Sequence, residues 1–164
     1  MEPRITFKEA PKEVYPLMQS IQTYLKKSMD HRLELLLKVR ASQINRCGFC
    51  LDMHHKDAIN EGETFQRLYL LPAWRESPVY TDKERAALHF TETLTLISSK
   101  TDEEVASAYE LVAKLFTKEE IVNLIVAINQ INAWNRLSIT FGNIPGSYQP
   151  DMFKQNGKLE NVTA

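Results

Sequence analysis

Cys47 and Cys50 are the only two cysteines of the 164-residue chain, and they stand in the run Asn45-Arg-Cys-Gly-Phe-Cys-Leu-Asp-Met-His54, a C-x-x-C-x-x-x-H pattern. On a helix, residues three apart lie about 5 to 6 Å from one another at Cβ, and the Cα separation falls inside the roughly 4.4 to 6.8 Å window that a disulfide tolerates. The two thiols can therefore close and reopen. A helix that starts after Asn45 turns unpaired N–H groups and the positive end of its dipole toward this run, which favours a thiolate, and Arg46 adds positive charge. His54 follows Cys50 by four residues and Cys47 by seven, so all three side chains share one face. An imidazole on that face can take the thiol proton.

Other readings of the same residues stay open. A cysteine is often no more than a small buried hydrophobe. Cys, Cys and His are also zinc ligands, with His55 as the candidate fourth. Structural zinc sites usually draw a second ligand pair from elsewhere in the chain, whereas no other cysteine exists and His31 and His89 stand alone. Paired spacing with an aligned histidine favours thiol redox or nucleophilic chemistry over metal binding.

The elements that must position these residues read as helices with written starts. Thr81-Asp-Lys-Glu84, Thr101-Asp-Glu-Glu104 and Thr117-Lys-Glu-Glu120 are capping boxes, in which the Thr hydroxyl and the Glu carboxylate satisfy N–H groups at a helix start. Helical spacing of Ala86, Ala87, Phe90, Leu94 and Ile97 follows the first box, and of Val105, Ala108, Tyr109, Val112, Leu115 and Phe116 the second. The third box opens a helix over 118–141 with apolar residues on two sides, Ile121, Leu124, Ile125, Ile128 and Ile131 on one and Val122, Val126 and Ala133 on the other. This predicts a buried central helix stopped by Gly142. Further helices are predicted after about residue 12, where Val14, Leu17, Met18, Ile21 and Leu25 are spaced for one; over 31–45; over 48–60 with Gly62 as its left-handed stop; and over 64–71, before a Pro-flanked loop at 72–80. Phe65 and Tyr69 read as core, and Trp74-Arg75-Glu76 as the anchor of that loop. Trp134, Asn135 and Arg136 read as a packed interface group or as walls of the thiol pocket. Beyond Gly142, Gly, Pro and Asn recur without period, which predicts an extended tail.

Bulk properties set the frame. The length suits one domain, with a core over about 10–145 and a tail over 146–164. Apolar residues make up 43% and charged residues 25%, which is globular usage, and only 5 Gly and 7 Pro leave few turns for an all-β chain. The expected fold is all-α, a bundle of about six to seven helices. With 20 basic and 21 acidic residues the net charge is −1, so nucleic acid is not an expected partner. No apolar run suits a signal peptide or a membrane span, and a soluble cytoplasmic protein is expected. A glycine fingerprint for NAD(P)H is also missing.

The segment Arg40–Ala58, together with Gly62-Glu-Thr64, Ala73-Trp-Arg-Glu76, Glu84-Arg-Ala-Ala-Leu88 and Ile131-Asn-Ala-Trp-Asn-Arg136, resembles the AhpD-like alkylhydroperoxidase branch of the carboxymuconolactone decarboxylase family. The resemblance covers roughly residues 10–145. It implies an all-helical homo-oligomer (a dimer, trimer or hexamer) that reduces hydroperoxides with its cysteine pair, re-reduced by a dithiol, thioredoxin-like or lipoyl-type donor. It further implies that Cys50 attacks the peroxide and becomes a sulfenic acid, that Cys47 resolves it, and that His54 assists proton transfer. Such a cycle needs neither metal nor cofactor. In that pattern a Glu twelve residues before the first cysteine completes the relay, and position 35 here is Leu. Glu34, one residue off, and Glu84, from a neighbouring helix, are the candidate replacements. A lactone-acid decarboxylase and a non-catalytic zinc- or redox-sensing module are the alternative functions; the first does not require a C-x-x-C pair.

Overall fold

The computed structural model describes residues 2–150. Among them the regular structure is helical throughout: α1 Val14–Ser28, α2 His31–Asn45, α3 Gly48–Asn60, α4 Phe65–Leu70, α5 Asp82–Thr95, α6 Asp102–Ala113 and α7 Lys118–Phe141, with short 3-10 turns at Leu71–Glu76 and Ile97–Ser99. The predicted all-α architecture of six to seven helices is observed.

The helix starts follow from their caps. All three capping boxes are formed, with each Thr hydroxyl accepting from the N–H of the Glu three residues on and that Glu accepting from the Thr backbone. Asp30 caps α2 by accepting from the Leu33 N–H. Pro16 lies within α1 but in its first turn, where the missing N–H has no intrahelical partner to lose. Gly142 ends α7 at φ 75°, and Arg46 turns the chain from α2 into α3 at φ 58° and ψ 38°, a left-handed conformation that a side chain rarely adopts.

Helix α2 is the centre of the packing and contacts α3, α5 and α7. Leu35, Leu36, Leu37 and Val39 are all buried, so this helix is covered on every side. Around it the core continues through Ala58, Leu68, Leu88, Phe90, Val112, Leu124 and Ile128. Each of these Val, Leu, Ile and Phe side chains contributes about 1.5–3 kcal/mol by leaving water, and Ala58 less. Trp74 anchors the loop before α5 as expected: it is buried, its indole N–H donates to Glu92 Oε1 at 2.7 Å, and Arg75 lies over its ring.

Several apolar positions fall outside the core that periodicity assigned them. Phe65 and Tyr69 are 61% and 74% exposed, because the single-and-a-half-turn helix α4 buries only Leu68 and leaves the two rings stacked on its outer side. On the second side predicted for α7, Val122 is exposed while Val126 and Ala133 are half-buried, and Ile97, Tyr109 and Leu115 also face outward. In α1 only Leu25 is buried, while Leu17 and Ile21 are exposed. None of the helices among the described residues is long and apolar enough to cross a membrane. The predicted extended tail lies outside the described residues from 151 onward.

Candidate active site

Cys47 occupies the N-cap of α3 with extended backbone, and its sulfur accepts from the Cys50 N–H at 3.3 Å. Cys50 stands three residues in, still in the first turn, where free N–H groups and the helix dipole favour negative charge on sulfur. The two cysteines form a disulfide with Cα atoms 5.3 Å apart, and both are buried. The spacing argument from sequence is thereby realised.

Cys50 and His54 open into one cavity of about 580 Å³, whose walls are mainly apolar: Leu35, Phe49 and Met53 on one side, and Phe7, Tyr15 and Trp134 on the other. Phe7, Tyr15 and Trp134 pack edge to face with centroids 5.7 to 6.0 Å apart. The segment before α1 is held there by Arg4, whose guanidinium donates to the carbonyls of Ile139 and Thr140 at the end of α7. Polar groups reach the cavity from Gln22, His31, Lys38 and Asp57. Cys47 does not line it but is bonded to Cys50, which does.

His54 is 6% exposed. Its Nδ1 lies 3.6 Å from Asp57 Oδ2, just beyond hydrogen-bond length, and has no closer polar partner. Burial pushes its pKa below the ordinary value of 6.5; the Asp57 carboxylate opposes that, and the Lys38 charge adds to it. The ring is therefore neutral at pH 7 and free to accept a proton. Asp57 is held below the usual carboxylate range: burial works against its ionisation, but contacts with His54 and Tyr148 and the charge of Lys38 outweigh it.

The shift of His54 carries a stability consequence. A histidine whose folded pKa lies below its unfolded one contributes fully above the unfolded value and loses that contribution as pH falls below about 6.5, where the unfolded chain binds a proton that the fold refuses. The loss is at most about 1.4 kcal/mol per pH unit for one group. Denaturant unfolding of the wild type should weaken from pH 7.5 to 5.5 by more than that of His54→Asn; equal losses would refute it. Comparing the two sequences cancels the same-direction shift of His89.

The two carboxylates expected from sequence behave differently. Glu84 is not brought to the thiols: its carboxylate closes the capping box with Thr81 and binds Arg67 at 2.5 Å, and it lines no wall of the Cys50 cavity. Capping and the Arg67 pair account for it, correcting the relay expectation. Glu34 is completely buried and pairs with Lys38 at 2.7 Å, while Gln22 donates to it at 2.7 Å and His31 Nδ1 lies 3.1 Å away. Leu35, not Glu34, faces the cavity, as the one-residue offset implied. Glu34 and Lys38 act on His54 only through their charges. The carboxylate beside the imidazole is Asp57, three residues on in the same helix, a spacing visible in the sequence. His55 is half-buried with Nδ1 2.7 Å from the Leu51 carbonyl. Trp134 lines the cavity, whereas Asn135 is buried and accepts from Asn45 and donates to Ser42. Among the described residues no group of three or more His, Cys, Asp or Glu is placed to hold a metal ion.

Residues 12–93 match the model of the carboxymuconolactone decarboxylase family, and the uncharacterised protein YdfG of Bacillus subtilis is 42% identical over 144 residues, 87% of this chain and 97% of YdfG. The chain belongs to the carboxymuconolactone decarboxylase family. Among solved structures it is similar to an Agrobacterium tumefaciens protein of unknown function, for which AhpD antioxidant defence has been suggested, with 37% identity, a TM-score of 0.82 and coverage of 90% of this chain and all of that one. The debrominase Bmp8 shares the fold at 14% identity, with a TM-score of 0.73 over 82% of this chain and 72% of its own. The Agrobacterium protein agrees with the AhpD-like resemblance of the cysteine segment.

Proposed function

We propose that the protein is a dithiol peroxidase for organic hydroperoxides, with Cys50 as the attacking sulfur and Cys47 as the resolving one. The observation that carries this reading is the sharing of one large apolar cavity by Cys50 and His54, with Cys47 bonded to Cys50. In the reduced protein the Cys50 thiol gives its proton to His54, and the thiolate attacks one peroxide oxygen. The S–O bond forms as the O–O bond breaks, and the departing alkoxide takes the proton back from the imidazolium as an alcohol. Cys47 then attacks the sulfenic sulfur, expelling water and forming the disulfide. A dithiol donor of the thioredoxin-like or lipoyl type supplies the two electrons that reopen it by exchange.

The cavity volume supports one substrate class over another. A space of about 580 Å³ with aromatic walls far exceeds hydrogen peroxide and suits a peroxide with a bulky apolar group. AhpD antioxidant defence, suggested for the Agrobacterium relative, supports the same reading. A lactone-acid decarboxylase would leave the cysteine pair without a task. Exposed Leu17, Ile21 and Tyr24 on the outer face of α1 fit a homo-oligomer, and repeated reopening of the disulfide fits the reducing cytoplasm.

Thiol titration of the reduced protein tests the proposal. With one equivalent of cumene hydroperoxide, two thiols per chain should disappear and one alcohol should form, and this should proceed faster than with hydrogen peroxide at equal concentration. Thiols that persist under cumene hydroperoxide would overturn it.

A further inference from the structure

We infer that the segment following α7 completes the site: Tyr148, through the carboxylate of Asp57, positions the His54 imidazole. The inference rests on the reading of His54 as the proton acceptor for Cys50.

The segment is fastened to α3 at successive turns. Gly142 stops α7 in the left-handed region, and the chain then returns across α3. Lys56 Nζ donates to the carbonyls of Gly146 at 3.3 Å and Tyr148 at 2.9 Å, and Asp52 Oδ2 accepts from both Lys56 at 2.8 Å and the Gly146 N–H at 3.0 Å. Tyr148 is thereby buried, and its hydroxyl donates to Asp57 Oδ1 at 2.5 Å.

That bond occupies one carboxylate oxygen and leaves the other, Oδ2, facing His54 Nδ1 at 3.6 Å. Nδ1 is a buried polar atom with no hydrogen-bond partner, a condition that native structures rarely tolerate without a purpose. A carboxylate on the Nδ1 side fixes the tautomer that carries its proton there and leaves Nε2 basic, and it stabilises the imidazolium once a proton arrives. Hydrogen bonds of this kind are often long in the resting protein and tighten during reaction. Position 35, where the resemblance would put a relay glutamate, is Leu, and Asp57 is the carboxylate that stands beside the ring. The other charges acting on the ring are Lys38 and Glu34 from α2, and neither is altered in the test below.

The test uses wild type, Asp57→Asn and Tyr148→Phe. One readout is the NMR titration of His54 in the oxidised protein, which involves no peroxide; the other is the pH profile of thiol oxidation by cumene hydroperoxide. Asp57→Asn should lower the His54 pKa, move the acidic limb of the profile to lower pH, and slow oxidation by about tenfold or more. Tyr148→Phe, which removes one oxygen, should act in the same direction and by less. An unmoved His54 titration in both variants would overturn the inference, and a shift confined to Asp57→Asn would overturn the part of Tyr148. If the titrations move but wild type consumes no peroxide, the positioning stands and the peroxidase reading falls.

Discussion

Cys50→Ser should abolish peroxide-dependent turnover, with a loss of at least about 10³-fold, because it deletes the cysteine sulfur that faces the cavity with His54. The substitution should be structurally mild, since Ser is close in size and sits in the first turn of α3. Cys47→Ser is the informative partner. Serine is a good N-cap, so the oxygen can replace the sulfur that now accepts from the Cys50 N–H, and α3 keeps its start. This variant should react once, stop with Cys50 as a sulfenic acid that dimedone traps, and fail to cycle with a dithiol donor. Mass spectrometry after one equivalent of cumene hydroperoxide distinguishes the two. Turnover retained in Cys50→Ser and lost at the first step in Cys47→Ser would reverse the roles.

Lys38→Met should be the most destabilising single change near the site. Glu34 has no exposure, and Lys38 at 4% exposure is its ion-pair partner, with Gln22 donating to the first and accepting from the second. Burial opposes ionisation of Glu34, and the charge and hydrogen bond of Lys38 are the chief groups that keep it below the usual range. Removing one member of such a pair leaves an uncompensated buried charge, a loss of about 3–5 kcal/mol. For a chain of this size that corresponds to a fall in Tm of roughly 10 °C. Since two charges removed together leave nothing unpaired, Glu34→Leu with Lys38→Met should recover most of the loss. Calorimetry of the three proteins checks this; a double variant no more stable than Lys38→Met would show that the pair is not the cause.

How much of this was legible in the sequence depended on how local the cause was. The capping boxes, the stop at Gly142 and the cysteine spacing act within one or two turns, and each appears where the residues placed it. Burial is set by neighbours, and there periodicity misled. Phe65 and Tyr69 are four apart on a helix too short to bury more than Leu68, and Val122 is left exposed on α7. Glu34 stands one residue off the relay position, and its i,i+4 spacing to Lys38 is the better signal of what it does. The His54–Asp57 spacing was equally visible. Tyr148 was not, because ninety-one residues separate it from Asp57 and only the return of the chain across α3 joins them.

The walls of the cavity come from Phe7 near one end of the chain, from Cys50 and His54 in its middle, and from Trp134 and Tyr148 near the other. The chamber therefore exists only once both termini of the described segment have packed around α3, and a partly folded chain carries the two cysteines with no enclosure around them.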